Sequence, residues 1–207
     1  VEYGLVPLSQ YDVVDYILGL QKEDHSNPTS NIYYKTFSSP MQRMLTAYCQ
    51  SGGNVLVSGS YIGSDMNDSA GNRSFTGDVL KYSFGGSLNA TYTSSDGNDD
   101  GSNTARNSGS LSTPNAATAI NGLGRNFTSP AQPNEQTYPV VNPDVLQPTG
   151  TAFPVMLYAG NQCAATAYQG NYRTFVMGFP FESIRQEIDR NAIMASILHF
   201  FEQKNKK

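Results

Sequence analysis

The segment Ser38–Asp65 constrains the fold of this 207-residue chain more than any other part of its sequence. Ser39 is a favourable helix N-cap, Pro40 suits the first helical position and Gln42 completes a capping box, so the pattern predicts a helix. A glycine pair after this helix predicts a left-handed end. Apolar side chains at helical spacing predict one buried stripe, formed by Met41, Met44, Leu45, Tyr48 and Cys49.

The apolar run Asn54–Gly59 predicts a buried strand, which leads into the loop Ser60–Asp65. Helix followed by strand is one unit of a parallel sheet, and ligands usually bind where such strands end at their carboxyl side. Tyr172–Gly178 predicts another apolar strand, and a final amphipathic helix is expected to end near Glu202. We therefore expect an α/β domain with an open, mostly parallel sheet flanked by helices.

Other elements have weaker signals. Tyr11–Gly19 would form a helix if Ser9 were its N-cap, but its β-branched residues favour a strand. Phe153–Leu157 and Ala164–Tyr168 also predict strands. The last helix is expected to bury Ile193, Ile197, Leu198 and Phe201.

Residues from about 66 to 137 lose regular pattern, and we interpret them as a polar insertion within one domain that spans residues 1–207. Within it, Val79–Phe84 and Ser87–Tyr92 predict two short strands joined by a glycine turn. Asp96–Ser112 is a run of Gly, Ser, Asn and Asp that predicts an exposed loop. The proline-rich stretch Pro130–Pro154 is expected to be largely irregular.

The amino-acid composition argues against a nucleic-acid partner and against a membrane span. Only 14% of residues are charged and the net charge is −4, whereas nucleic-acid-binding domains carry a basic stripe, so we expect no nucleic-acid partner. No segment approaches the roughly 20 apolar residues of a membrane span. The sequence contains no charged start followed by an apolar run, so we expect a cytosolic protein or a mature or excised piece of a longer one.

Two passages carry a family resemblance. YDVVDYILG, the capped helix and GGNVLVSGSYIGSD resemble the core of class I glutamine amidotransferase-like domains, and RTFVMGFPFESI resembles their closing strand and last helix. The resemblance implies a flavodoxin-like sheet whose first strand would precede Tyr11, so the chain would be a fragment of a larger multidomain protein. LGLQKED, GGNVLVSGSYIGSD and GFPFESI further resemble the C-terminal domain of secreted bacterial proteins labelled xanthan lyase. That likeness implies a secreted, periplasmic or cell-surface location.

The resemblance to class I glutamine amidotransferases implies a Cys nucleophile after the central strand and a His–Glu pair near the C-terminus. That position falls near Ser60 or Tyr61, and neither is Cys. The two histidines stand in a polar loop, at His25, and inside the last helix, at His199. Because the Cys–His pair is absent, we expect a non-catalytic module that is structural or binds glycan, with polysaccharide and other domains of its parent chain as partners.

A hydrolase or lyase acting on polysaccharide is the alternative. Its candidate residues are Ser60 in a glycine-bracketed turn, and Asp65 and Glu182, two carboxylates that follow strands. The simpler interpretation is that Ser60 bonds local backbone, Asp65 caps a loop and Glu182 is favoured by a helix dipole. A third hypothesis is a protein-interaction domain that uses the polar insertion.

No cofactor is expected except calcium. Asp96, Asn98 and Asp100 match the first half of a calcium loop, but Asn107 stands where such loops place a bidentate Glu. Exposed tyrosines would stack on sugar rings if they are not half-buried strand residues, and the candidates are Tyr33, Tyr34, Tyr61, Tyr158 and Tyr168. The two cysteines, Cys49 and Cys163, are expected to be buried thiols or a single bridge.

Overall fold

The computed structural model describes residues 6–23, 34–88, 105–108, 140, 142–158, 160–184 and 187–203. Its strands are β1 (Val13–Gly19), β2 (Asn54–Gly59), β3 (Tyr82–Ser87), β4 (Ala105–Asn107), β5 (Asp144–Pro148), β6 (Phe153–Tyr158), β7 (Cys163–Gln169) and β8 (Arg173–Met177). Its α-helices are α1 (Ser39–Gln50), α2 (Ala70–Ser74) and α3 (Glu187–Glu202), and a π-helical turn, Phe75–Leu80, continues α2. Short 3₁₀ turns lie at Leu8–Gln10 and Phe181–Ser183.

The main sheet has six strands in the order β1-β2-β8-β7-β6-β4, and a separate sheet pairs β3 with β5. The α/β class is confirmed. Four of the six strands point in one direction, but parallel neighbours are confined to β1, β2 and β8. The remaining three pairings are antiparallel, and short connections between β6 and β7 and between β7 and β8 reverse the chain at two of them. The sheet is therefore mixed, and β1 lies at one edge of it.

Successive residues of β2 point to opposite faces and so contribute to two separate cores. Val55 and Val57 pack with Phe37 and the buried stripe of α1. On the other face, Leu56 packs with Phe175 and the apolar side chains of α3. The two helices thus cover opposite faces and leave the carboxyl ends of the strands for loops.

The prediction for α1 is confirmed in its extent and its buried stripe, although the cap is shifted by one residue. Ser38, not Ser39, has the extended N-cap backbone, and its Oγ accepts a hydrogen bond from the Met41 amide at 3.3 Å. Gln42 does not complete the capping box, since its side chain donates to the Phe37 carbonyl instead. Gly52 ends the helix with a φ of 95°, which confirms the predicted left-handed stop.

The predicted strands β1, β2, β6, β7 and β8 are confirmed, but predictions for the less regular segments were partly wrong. The glycine pair after Phe84 lies inside β3 at a bulge instead of forming a hairpin turn, because the partner of β3 is β5. β4 interrupts the predicted exposed loop, and β5 interrupts the predicted irregular stretch. On α3, Leu198 is 41% exposed, and Phe200 is buried in its place. Among the described residues, no helix is long and apolar enough to cross a membrane.

Candidate functional site

A cleft of about 500 Å³ lies at the carboxyl ends of β1 and β2. This is the edge of the sheet at which the sequence predicts ligand binding. The segments after β1 and β2, the end of β3 and the segment before β5 together form its walls. Its described lining residues are Lys22, Tyr61, Ser64, Asp65, Ser87, Leu88 and Asn142.

Asp65, one of the predicted site residues, holds together two segments of backbone on one side of the cleft. Its Oδ1 accepts a hydrogen bond from the Glu23 amide at 3.0 Å, and its Oδ2 accepts from the Thr36 amide at 2.8 Å and the Thr36 hydroxyl at 3.0 Å. These contacts join the segment after β1 to the segment before α1. Both carboxylate oxygens therefore already have donors within the protein.

Lys35 is the cation that pairs with the acidic side chains around Asp65 in the described part of the chain. Lys35 Nζ lies 2.9 Å from Asp68, 3.0 Å from Glu23 and 3.6 Å from Asp65. Hydrogen bonds from Lys35 and Asn72 lower the pKa of Asp68, although Asp68 is largely exposed. This wall of the cleft is therefore an ion-pair network in which charge is partly compensated.

Asp144, the first residue of β5, holds the opposite wall and is fully buried. Its Oδ2 accepts hydrogen bonds from the Gly63 amide at 2.8 Å, the Ser64 amide at 2.7 Å and the Ser64 hydroxyl at 3.1 Å. Its Oδ1 accepts from the Ser87 hydroxyl at 2.9 Å. One buried carboxylate thus orders the loop after β2 and ties it to the end of β3.

The charge of Asp144 has no ion pair among the described residues, in contrast to that of Asp65. Burial raises the pKa of Asp144 to about 6, and the hydrogen bonds from Ser64, Gly63 and Ser87 oppose this shift. The buried hydroxyls of Tyr82 and Tyr158 stay neutral, because burial raises their pKa values well above the ordinary range.

The backbone of Asp144 is fixed as firmly as its side chain. Its amide hydrogen-bonds the carbonyls of Ser60 and Gly178, and its carbonyl accepts from the Tyr158 hydroxyl at 3.0 Å. A Cβ on Gly178 would lie 2.1 Å from that carbonyl oxygen, so this position requires glycine. β5 therefore begins against the carboxyl ends of β2 and β8.

The structure does not bring the three predicted catalytic candidates together. Ser60 is 0% exposed and is absent from the described cleft lining, and its hydroxyl has no hydrogen-bond partner among the residues that the structure describes. Glu182 lies in the turn after β8, and its electrostatic neighbour is Asp15 on β1. Asp15 is exposed, and its partial desolvation on the sheet together with the charge of Glu182 raises its pKa to about 6. Of these three candidates, only Asp65 is among the described residues that line the cleft.

Cysteine and histidine contribute no reactive group to the described cleft lining. Cys49 and Cys163 are free thiols, and burial raises the pKa of each to about 12. His199 is exposed on α3, and His25 lies outside the described residues. The calcium candidates Asp96, Asn98 and Asp100 also lie outside them, and no group of three or more potential metal ligands occurs within them.

Among the predicted tyrosines, Tyr61 lines the cleft, and Lys22 Nζ lies 4.8 Å from the centre of its ring. Tyr158 is fully buried below Asp144, and Tyr168 packs on Tyr172. Tyr34 is 67% exposed, and Tyr33 lies outside the described residues. Tyr61 is therefore the tyrosine that is placed to contact a ligand in the cleft.

Sequence reasoning missed Asp144 and Ser87. Asp144 lies in a proline-rich stretch in which apolar residues show neither helical nor strand-like spacing. Its contacts with Gly63 and Ser64 join residues about eighty positions apart. Ser87 was expected to start a strand, whereas it ends one. An acidic residue directly after Asn142-Pro143 is the one local signal, and it predicts only a turn.

Comparison with solved structures finds the mmIFT52 N-terminal domain, with a TM-score of 0.56 and 14% sequence identity. The match covers 100% of this chain and 83% of that one. This likeness shows the fold alone. No protein-family model matches the sequence, and no curated protein matches it significantly.

Proposed function

We propose that this domain is a non-catalytic, glycan-binding module of a secreted or cell-surface protein that processes polysaccharide or cell wall. The observation that carries the proposal is the chemistry of the cleft, whose described lining presents hydroxyls, an amide, a tyrosine ring, a lysine and the internally hydrogen-bonded carboxylate of Asp65. Aromatic faces with convergent polar groups suit a sugar, which has both apolar ring faces and hydroxyl edges. The resemblance to the C-terminal domain of proteins labelled xanthan lyase supports the extracellular setting and further domains in the parent chain.

The non-catalytic part of the proposal rests on how the acidic groups are used. Both oxygens of Asp65 accept hydrogen bonds from backbone or Thr36, and Asp144 orders the loop beneath the cleft. A general acid or base needs an oxygen within reach of the substrate. Asp144 reaches the cleft only through Ser64 and Ser87, and Asp65, although it lines the cleft, already uses both oxygens within the protein.

The test is binding of an oligosaccharide panel to the purified domain, measured by calorimetry. Tyr61→Ala should weaken binding at least tenfold, because it removes the ring against which a sugar would stack. Tyr11→Ala is the matched control, since Tyr11 is 52% exposed at the amino end of β1, away from the cleft. Equal losses in both variants, or no binding by the unaltered domain to any member of the panel, would contradict the proposal.

The alternative is a polysaccharide hydrolase or lyase that uses carboxylates at the carboxyl ends of the strands. The placement of Asp65 in the cleft favours it. A hydrolase would release reducing ends and a lyase would release unsaturated sugars from the same panel. Either product, if lost in Asp65→Asn and retained in Tyr11→Ala, would replace the binding proposal with an enzymatic one.

A further inference from the structure

Two serine hydroxyls face the cleft while their protons point into the protein. Ser64 and Ser87 both line the cleft, and both donate to the carboxylate of Asp144. A hydroxyl has one proton and two lone pairs, so a serine that donates inward presents only acceptor capacity outward. The buried carboxylate thus determines which hydrogen bonds this wall offers to a ligand.

Charge adds a second constraint on the ligand. Four carboxylates lie in the cleft, beneath it or one ion pair away from it: Glu23, Asp65, Asp68 and Asp144. The described lysines in the same region are Lys22 and Lys35. With Asp144 ionised, the four negative charges of these described residues exceed the two positive ones by two, which disfavours an anionic ligand. This balance alone would favour a cationic ligand, but Lys22 lies 4.8 Å from the centre of the Tyr61 ring and repels a cationic group at the ring on which a sugar would stack.

We propose that Asp144 sets the hydrogen-bond polarity of the cleft, so that the cleft selects a neutral, hydroxyl-rich sugar whose hydroxyls donate to Ser87 and Ser64. This inference rests on the proposed glycan-binding function and names the class of glycan. Asp144 acts as a positioning residue, since its carboxylate reaches the ligand only through the two serines.

Protonation of Asp144 changes Ser87 more than Ser64. Among the described residues, Oδ2 has three donors and Oδ1 has one, the Ser87 hydroxyl. A proton on Asp144 therefore goes to Oδ1, and Ser87 must turn to accept it. Ser87 then points its own proton into the cleft and keeps one free lone pair there in place of two, so a ligand that presents only donors to Ser87 loses one hydrogen bond.

The two buried tyrosines beside Asp144 and the thiol of Cys163 do not titrate in the same range. Tyr82 from β3 and Tyr158 from β6 stay neutral, because burial holds their pKa values far above 7. Burial likewise raises the pKa of Cys163, on β7, to about 12. Asp65 and Lys22 complete the charged groups described in the cleft. Burial raises the pKa of Asp144 itself to about 6, so acidification from pH 7.5 to 5.0 spans its titration.

The binding experiment uses calorimetry at pH 7.5 and pH 5.0. The neutral probes are cellotetraose, mannotetraose and galactotetraose, and the charged probes are tetragalacturonate and N,N,N-trimethyl chitosan tetraose, whose positive charge does not change with pH. The neutral probe that binds should lose about two- to tenfold in affinity at pH 5.0, the effect of one hydrogen bond. Tighter binding of either charged probe than of every neutral probe would overturn the ligand class.

Three variants separate the role of Asp144 from mere structural support. In Asp144→Asn, the amide oxygen accepts from Gly63 and Ser64 while the amide nitrogen donates to Ser87, so binding should be weak and independent of pH. Ser87→Ala should likewise make the sugar affinity independent of pH, and it leaves the contacts of Asp144 with the loop after β2 intact. This variant tests the inference even if Asp144→Asn does not fold. Ser83→Ala, on the same strand, is the matched control and should retain the profile of the unaltered domain. A pH profile unchanged in Ser87→Ala would overturn the proposal.

Nuclear magnetic resonance distinguishes failure of this inference from failure of the proposed function. The Gly63 and Ser64 amide resonances should titrate with a midpoint near pH 6 in the unaltered domain without ligand, and should not titrate in Asp144→Asn. Absence of this titration overturns control by Asp144, even if sugar binds. Titration without binding of any probe refutes the glycan-binding function and the ligand class, while the control of Ser87 by Asp144 stands.

Discussion

The two walls of the cleft perform the same task with different electrostatics. On one wall, Asp65 accepts backbone hydrogen bonds and lies within an ion-pair network around Lys35. On the other, Asp144 accepts backbone hydrogen bonds with its charge buried and without an ion pair among the described residues. Partial compensation of charge makes the first wall sensitive to salt, whereas burial makes the second sensitive to pH.

The comparison also shows which wall has hydrogen-bond acceptors that are free to bind a ligand. Asp65 uses its oxygens within the protein, and the acidic groups near it are held by Lys35. Asp144 engages two hydroxyls whose lone pairs remain open to the cleft. The wall built by Asp65 therefore only holds the backbone in place, whereas the wall built by Asp144 holds the backbone in place and also offers hydrogen-bond acceptors to a ligand.

The largest expected effect is that of Asp144→Ala. The substitution removes the acceptor of two backbone amides and two hydroxyls and leaves a small cavity. We expect a loss of about 2–4 kcal/mol in the free energy of unfolding, measured by urea denaturation at pH 7.5, because buried donors then lack partners. Ser83→Ala, on β3 but outside this network, should change the same quantity by less than about 0.5 kcal/mol. A loss in Asp144→Ala no larger than that of the control would show that the second wall does not depend on the carboxylate.

The second prediction concerns the backbone that supports Asp144. Gly178→Ala would place a Cβ 2.1 Å from the Asp144 carbonyl oxygen, so the start of β5 must move. We expect a loss of about 1–3 kcal/mol in the free energy of unfolding, as for other overpacked sites. Gly71→Ala is the matched control: a Cβ there meets no atom within 4 Å, and alanine in helix α2 should be neutral or stabilising. Similar results for the two glycines would show that β5 tolerates displacement.

The sequence predicted the elements that depend on local signals and missed the residues that act through contacts between distant parts of the chain. The unit α1–β2 has local signals, namely a capping residue, a helical stripe and a glycine stop, and these predict its extent and its buried face. Asp144 acts through contacts with Gly63 and Ser64, about eighty residues away, and no local period encodes such pairs. Asp65 was identified from its place after β2, but its role depends on Glu23 and Thr36, which local patterning could not pair with it.

A smaller effect is expected at the first wall. Lys35→Gln removes the cation shared by Glu23, Asp65 and Asp68, and we expect a loss of about 1 kcal/mol in the free energy of unfolding at low salt. The loss should shrink in 1 M NaCl, where the Debye length is only about 3 Å. Lys22→Gln is the control, since Lys22 forms no ion pair among the described residues. A loss that is equal at both salt concentrations would show that packing of the lysine stem, not charge, supports this wall.

The smallest effect is expected outside the cleft, at Asp15. It resembles Asp144 in its raised pKa of about 6, but its side chain is exposed, so partial desolvation on the sheet, together with the charge of Glu182, causes the shift, and it accepts no hydrogen bond among the described residues. Because its pKa is higher in the folded state, the native protein binds more protons between about pH 4 and 6, and ionisation of Asp15 lowers stability as pH rises through that range. Asp15→Asn should therefore raise the melting temperature slightly at pH 7.5 and leave it unchanged at pH 4.0, as followed by circular dichroism. A lower melting temperature at pH 7.5 would mean that the charge of Asp15, like that of Asp144, is used to hold neighbouring groups in place.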